Sequence, residues 1–241
     1  MNSNNSIKAI FFDLDGTLRH SVPEGGQVSN EYAISLGLSI SDEDWLRGAR
    51  WEYLYWANSA DLRDDLIAHS VDSENFWVEY TRRHLIAVGA STAWAGEHAA
   101  DVSAHMREMY KPDSIVPDDV QRTLPMLQEA GYYMAVISNR EKPFIDVMES
   151  HKLTPFFEFS LAAGEVDSYK PDPEVFEHAL KRANLTAQEV AYVGDNYFAD
   201  VVGSRRAGLT PVLFDPNKIF PEADCITIRS FDQLKSVIED I

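Results

Sequence analysis

Short apolar runs, each closed by polar or turn-forming residues, recur along this chain with helix-like stretches between them. Residues 7–13, 132–137, 157–162, 190–193, 210–214 and 225–228 read as strands. The intervening stretches have a different period. Val120, Leu124 and Leu127 form one stripe of a helix over 117–130, stopped by Gly131. Residues 142–151 read as a second helix. Asp172-Pro173 opens a third, ending at Arg182, with aspartate as N-cap and proline in the first turn. A fourth covers 198–207 and stops at Gly208, and Ser230-x-x-Gln233 is a capping-box start for the last. Strands that alternate with helices predict a parallel sheet with helices on both faces, an α/β fold.

One stretch breaks the alternation. After Leu18, RHSVPEGGQVSN reads as loop, and from about Gln27 to Lys111 nothing resembles a strand. Helical segments are expected over 27–36, 42–58, 62–69, 74–88 and 97–110. All five tryptophans fall here, which suggests an inserted helical unit with its own core. The expected division is a core of residues 1–18 and 113–241 and an inserted domain over 19–112.

Composition narrows the partners. A net charge of −18 repels nucleic acid and anionic membranes, so a small anionic substrate needs a locally positive site. The single cysteine, Cys225, excludes a disulfide framework within the chain and suits a reducing compartment. No apolar run approaches the roughly 20 residues of a membrane span. The start, MNSNNS, is polar, without a signal-peptide pattern. The expectation is a soluble cytoplasmic protein, monomeric or homodimeric.

Open parallel sheets bind ligands at the carboxyl ends of their strands. There the chain sets Asp13, Asp15, Gly16 and Thr17 after the first run, and Ser138 and Asn139 after the second. Lys170 lies beyond the third, in YKPDPEVF, and Asp195 and Asp200 follow the fourth, in GDNYFAD. Two aspartates two residues apart repel one another unless something positive lies between them. An Asp-Gly turn closing a strand would be the plain explanation of that pair alone. The set in this order resembles the haloacid dehalogenase (HAD) superfamily, whose members are mostly phosphatases. Its D-x-D-G-T matches Asp13 to Thr17, its strand-end Ser or Thr matches Ser138, its Lys-Pro matches Lys170-Pro171, and its G-D-x-x-x-x-D matches Gly194-Asp195 through Asp200.

The resemblance implies a Rossmann-like parallel sheet with a helical-bundle cap inserted after the first strand. It also implies Mg²⁺-dependent hydrolysis of a small phosphorylated metabolite, such as a sugar phosphate, phosphoglycolate or a nucleoside monophosphate. Asp13 is then the nucleophile, forming an aspartyl-phosphate, and Asp15 the general acid and base. Ser138 and Lys170 hold phosphoryl oxygens, while Gly16, Thr17 and Asn139 shape the phosphate cradle. Asp13, Asp195 and the backbone carbonyl of Asp15 ligate the metal, with Asp200 on a metal-bound water or one layer further out. A phosphomutase would use the same machinery. A 2-haloacid dehalogenase would need neither metal nor acid at Asp15, and a non-catalytic binding module would be expected to lack a motif residue. In the inserted stretch Trp45, Ala49, Glu52 and Trp56 follow helical spacing and are read as bundle core, with Arg47 and Arg50 on a solvated face. His98 and His105 share a face two turns apart, too far to chelate one ion, and all seven histidines are read as structural. Arg19-His20 stands where many relatives carry an acidic residue, an extra anion contact in prospect.

Overall fold

The structure, a computed structural model, describes residues 7–241; the polar start at 1–6 lies outside the described residues. In chain order the elements are β1 (Ala9–Phe12), β2 (His20–Val22), α1 (Gly25–Ser35), α2 (Asp42–Trp56), α3 (Ala60–Ala68), α4 (Glu74–Ala87), α5 (Thr92–Met109) and β3 (Asp113–Ile115). There follow α6 (Asp118–Glu129), β4 (Tyr133–Ser138), α7 (Ile145–Ser150), β5 (Phe159–Ala162), α8 (Pro173–Ala183), β6 (Val190–Gly194), α9 (Val202–Arg206), β7 (Thr210–Phe214), β8 (Ile226–Ile228) and α10 (Leu234–Glu239). The chain divides into two compact units: the chain up to His20 together with Ile115–Ile241, and Ser21–Ser114.

The first unit is built on a six-stranded sheet in the order β5-β4-β1-β6-β7-β8, parallel throughout. β1 is central and pairs with β4 (Phe12 opposite Val136) and with β6 (Phe12 opposite Val193). Its four residues are all buried because the sheet is covered on both faces. Ile10 and Phe12 pack into one layer with Val120, Leu124 and Leu127 of α6. Ala9 and Phe11 point the other way, into a layer with Val175, Phe176, Ala179 and Leu180 of α8. The expected stripe of α6 is therefore its buried face, and Asp172 caps α8 by accepting from the Glu174 N–H at 3.3 Å.

The second unit is the helical insert, α1 to α5. One cluster gathers Ala33, Leu85, Ala90, Ala95, Ala99 and Val102; another gathers Tyr55, Leu62 and Phe76, with Trp51 and Tyr80 against it. Inside the latter the Tyr55 hydroxyl donates to Asp65 at 2.9 Å, and Arg83 pairs with the same buried carboxylate at 3.0 Å. Trp51 and Trp94 pack against these clusters, whereas Trp45 and Trp56, read as bundle core, lie at the edge. Trp45, Trp56 and Trp77 are 37%, 36% and 43% exposed. Arg47 is drawn to the Ala87 carbonyl and to Asp44. His98 stacks on Trp94 and His105 on Tyr32.

Other local expectations need correction. The stretch read as loop after Leu18 contains β2, which pairs with β3 in a separate two-stranded sheet, and α1 begins within it at Gly25. The helix expected over 142–151 covers only Ile145–Ser150. The helix expected over 198–207 opens as a π-helical turn, Tyr197–Val201, before α9. No helix among the described residues is long and apolar enough to cross a membrane.

Leu124 is fully buried between α6 and the sheet. Leu124→Ala is expected to cost about 3 kcal/mol of unfolding free energy, read as a lowered denaturant midpoint with an unchanged slope.

Candidate active site

Strand ends gather the polar residues. β1 stops at Phe12, and the Asp13 N–H continues the ladder by donating to the Val193 carbonyl at 2.9 Å. The next residues fold back: the N–H groups of Leu18 and Arg19 donate to the Leu14 carbonyl, and that of Gly16 to the Arg19 carbonyl, at 2.8–3.0 Å. Gly16 carries φ +92, and a β-carbon there would lie 2.2 Å from Asp195 Oδ2. Only glycine serves both the turn and the approach of that carboxylate. The Thr17 hydroxyl donates to Asp195 Oδ1 at 2.9 Å and accepts from the Asp195 N–H at 3.0 Å. These bonds fasten the loop after β1 to the loop after β6.

At the centre is Lys170, 2% exposed. Its ammonium donates to Asp13 Oδ1 at 2.6 Å, Asp200 Oδ1 at 2.7 Å and the Tyr192 hydroxyl at 3.0 Å. A reciprocal pair fixes its backbone: the Lys170 N–H donates to Asn139 Oδ1 at 2.7 Å, and Asn139 Nδ2 to the Lys170 carbonyl at 2.9 Å. Asn139 thus uses its side chain to set the lysine, and Thr17 uses its own to set Asp195. What either gives a phosphate must come from the backbone N–H. Ser138 ends β4 as a buried residue in register with Ala162.

Asp200 sits in the π-helical turn, a feature frequent at functional sites. Asn196 caps that turn, accepting from the N–H groups of Phe198 and Ala199 at 3.0 Å, while its own N–H donates to Asp200 Oδ2 at 2.9 Å. The wide turn brings Asp200 back over the end of β6, where a β-carbon on Gly194 would meet its Cγ at 2.3 Å. Both Asp200 oxygens are engaged, one by Lys170 and one by backbone.

Carboxylate oxygens of Asp13, Asp195 and Asp200 lie within 4.8 Å of one another. Three carboxylates against one ammonium leave two negative charges in a space largely closed to water, an arrangement a divalent cation would balance. The donors are hard oxygens, which suit Mg²⁺, and Asp13 Oδ2 and Asp195 Oδ2 are the oxygens not taken up by Lys170 or Thr17. Burial pushes the Asp13 carboxyl up to about 7 against the pull of Lys170, with Asp200 adding to the rise. Burial, then Asp13 and Asp200, push Asp195 well above the usual range. Burial works against the Lys170 ammonium, but Asp13 and Asp200 outweigh it and hold the group charged.

Asp15 stands apart from this cluster. Its carboxylate, 39% exposed, is held by Arg140 through Nε at 2.8 Å and Nη2 at 3.0 Å, with Arg19 Nε 2.9 Å away. The expected neighbour was an anion, and the nearest charges are cations. Sequence reasoning passed over Arg140, which directly follows the Ser138-Asn139 pair, and Tyr192, a lone hydroxyl in a buried strand. That hydroxyl donates onward to the Ile137 carbonyl at 3.0 Å.

The description "haloacid dehalogenase-like hydrolase" fits residues 7–208 of the chain. A phosphoglycolate phosphatase of Vibrio cholerae is 28% identical over 84% of this chain and 82% of its own length. A ribulose-1,5-bisphosphate 5-phosphatase of Halopiger xanaduensis is 30% identical over 87% and 85%. Among solved structures, a 2-haloacid dehalogenase from Pseudomonas syringae pv. tomato shares the fold, with a TM-score of 0.55 at 24% identity over 96% and 98% of the two chains.

Two outcomes follow from the crowded carboxylates. The folded Asp13 carboxyl lies above its unfolded value of 3.8, so its contribution to stability is full below that value and is lost as pH rises through about 7. In chelator, raising the pH from 5 to 7 is expected to lower the unfolding free energy by up to about 1.4 kcal/mol per pH unit and to level off above that, with a shallower dependence in Asp13→Asn. Gly16→Ala is expected to lower the melting temperature and to remove activity, checked by calorimetry and phosphate release, since φ and the Asp195 contact both resist a β-carbon.

Proposed function

This chain belongs to the haloacid dehalogenase-like hydrolases, and from that premise we propose that it is a Mg²⁺-dependent phosphatase of a small phosphorylated metabolite, working through an aspartyl-phosphate on Asp13. The observation that carries the reading is the buried lysine bridging Asp13 and Asp200 beside Asp195. Attack on carbon would not call for three crowded carboxylates. The relatives' names, a phosphoglycolate phosphatase and a ribulose-1,5-bisphosphate 5-phosphatase, support small phosphate esters as the substrate class.

The proposed roles follow from the contacts. Lys170 holds one Asp13 oxygen and so orients the carboxylate that attacks phosphorus. The attack displaces the alcohol, and Asp15 gives the leaving oxygen its proton. Asp15 then takes a proton from water, which opens the phosphoryl-enzyme and regenerates Asp13. Lys170 and Ser138 receive the phosphoryl oxygens, aided by backbone N–H groups of the loops after β1 and β4. Asp13, Asp195 and the Asp15 carbonyl would hold the cation, which when bound screens the repulsion between carboxylate and phosphoryl group. Asp200 would act through Lys170, since both its oxygens are engaged. The proposed setting is the cytoplasm, which suits the unpaired thiol of Cys225.

Purified protein with Mg²⁺ is expected to release phosphate from an aryl phosphate and to stop when EDTA is added. Asp13→Asn should abolish turnover and Asp15→Asn should slow it about 10²-fold or more. Turnover by Asp13→Asn at the unmodified rate would sink the assignment.

A further inference from the structure

One anion at the rim of the sheet is matched by two cations. Arg140 grips both oxygens of Asp15, and Arg19 brings a second guanidinium to 2.9 Å of Oδ1, its Nε–H not aligned for a hydrogen bond. One arginine satisfies a carboxylate in the bidentate geometry; the second leaves one positive charge over. Among the described residues, the contacts of Arg140 run through Nε and Nη2 and the side-chain contact of Arg19 through Nε. Arg140 Nη1 and both Arg19 Nη groups are left to receive something else. Their side chains are 32% and 18% exposed, open enough for a solute and shielded enough for its charge to count.

Arg140 is held in place rather than trailing in solvent. Its carbonyl accepts from the Gly164 N–H at 3.1 Å, and a β-carbon at Gly164 would lie 2.0 Å from the Glu141 carbonyl oxygen. The Glu141 carboxylate accepts from the Tyr169 hydroxyl, and the Phe144 ring lies 6.0 Å from the guanidinium. These contacts fix the backbone that carries the guanidinium, and Phe144 lies beside the guanidinium itself. In a chain of net charge −18, a fixed surplus cation beside the proposed general acid asks for a ligand.

We infer that Arg140 and Arg19 read a second anionic group on the substrate, so that the preferred esters carry a carboxylate or a further phosphate within a few bonds of the ester oxygen. The short reach follows because both guanidinium groups touch Asp15, the group assigned to that oxygen. The inference rests on the phosphatase reading and adds to it a class of substrate and two specificity residues. A planar guanidinium fork suits a carboxylate or phosphate and leaves an uncharged hydroxymethyl group poorly matched.

The test compares 2-phosphoglycerate with glycerol 2-phosphate, which differ only by a carboxylate in place of a hydroxymethyl group. With Mg²⁺, kcat/KM is expected to favour 2-phosphoglycerate by about 100-fold, the worth of one good charge-assisted contact. Arg140→Ala should bring the ratio close to one, chiefly through KM of the anionic substrate, and Arg140→Lys should leave an intermediate ratio. Arg19→Ala should lower the ratio about tenfold. The ratio is independent of any general loss of activity, and melting temperatures check that each variant is folded. A ratio near one in the unsubstituted enzyme, or a ratio that both alanine variants leave unchanged, overturns the inference while leaving a phosphatase. Hydrolysis of an aryl phosphate but of neither glycerol derivative also overturns it. Failure on all three esters removes the phosphatase reading itself.

Discussion

A buried ammonium between two carboxylates is the contact on which the organisation of this molecule turns. Lys170 comes from the loop after β5, Asp13 from the end of β1 and Asp200 from the π-helical turn after β6. None of the three would be buried alone at acceptable cost; breaking such a group typically destabilises by several kcal/mol. Together they fix where three loops end relative to one another. The same contact limits how stable the site can be. Burial, with Asp200 adding to it, raises the Asp13 carboxyl to about 7 even against the pull of the lysine.

The sheet explains why residues so distant in sequence meet. β1 lies between β4 and β6, so the loops after these strands emerge side by side at one edge. Short apolar runs buried on both faces dictate that arrangement, and a polar residue placed after each run has only the rim to occupy. The supporting bonds are local and inexpensive in residues. Thr17 ties to Asp195, Asn139 to Lys170 and Asn196 to its own turn, so the acids are oriented before any ligand arrives.

Much of this could be read from the residues. The strands announced themselves through apolar runs, α6 through its stripe and α8 through Asp172-Pro173, because burial and capping act over a few neighbouring positions. The meeting of Asp13, Lys170, Asp195 and Asp200 was legible only through their order at successive strand ends. What escaped depends on contacts between distant residues or on departures from regular period. The π-helical turn around Asp200 has the composition of an ordinary helix start, and β2 is a strand by virtue of pairing with β3. Arg19 stood out beside the first motif, but nothing within a few residues of Arg140 shows which carboxylate it will grip. Trp45 and Trp56 misled because size was taken for burial, whereas one cluster of the helical unit is built largely on alanine and these two indoles stay partly exposed.

The paired bonds between Asn139 and the backbone of Lys170 have a consequence for how this chain could vary. They clamp together the two ends of a loop enclosing α7 and β5. Long insertions in a surface loop cost little once its ends are held together. The outer part of that segment could lengthen, shorten or change its surface while the lysine kept its bearing on the acids. Diversification is thereby steered toward the periphery, and the chemistry is insulated from it by a single side-chain amide.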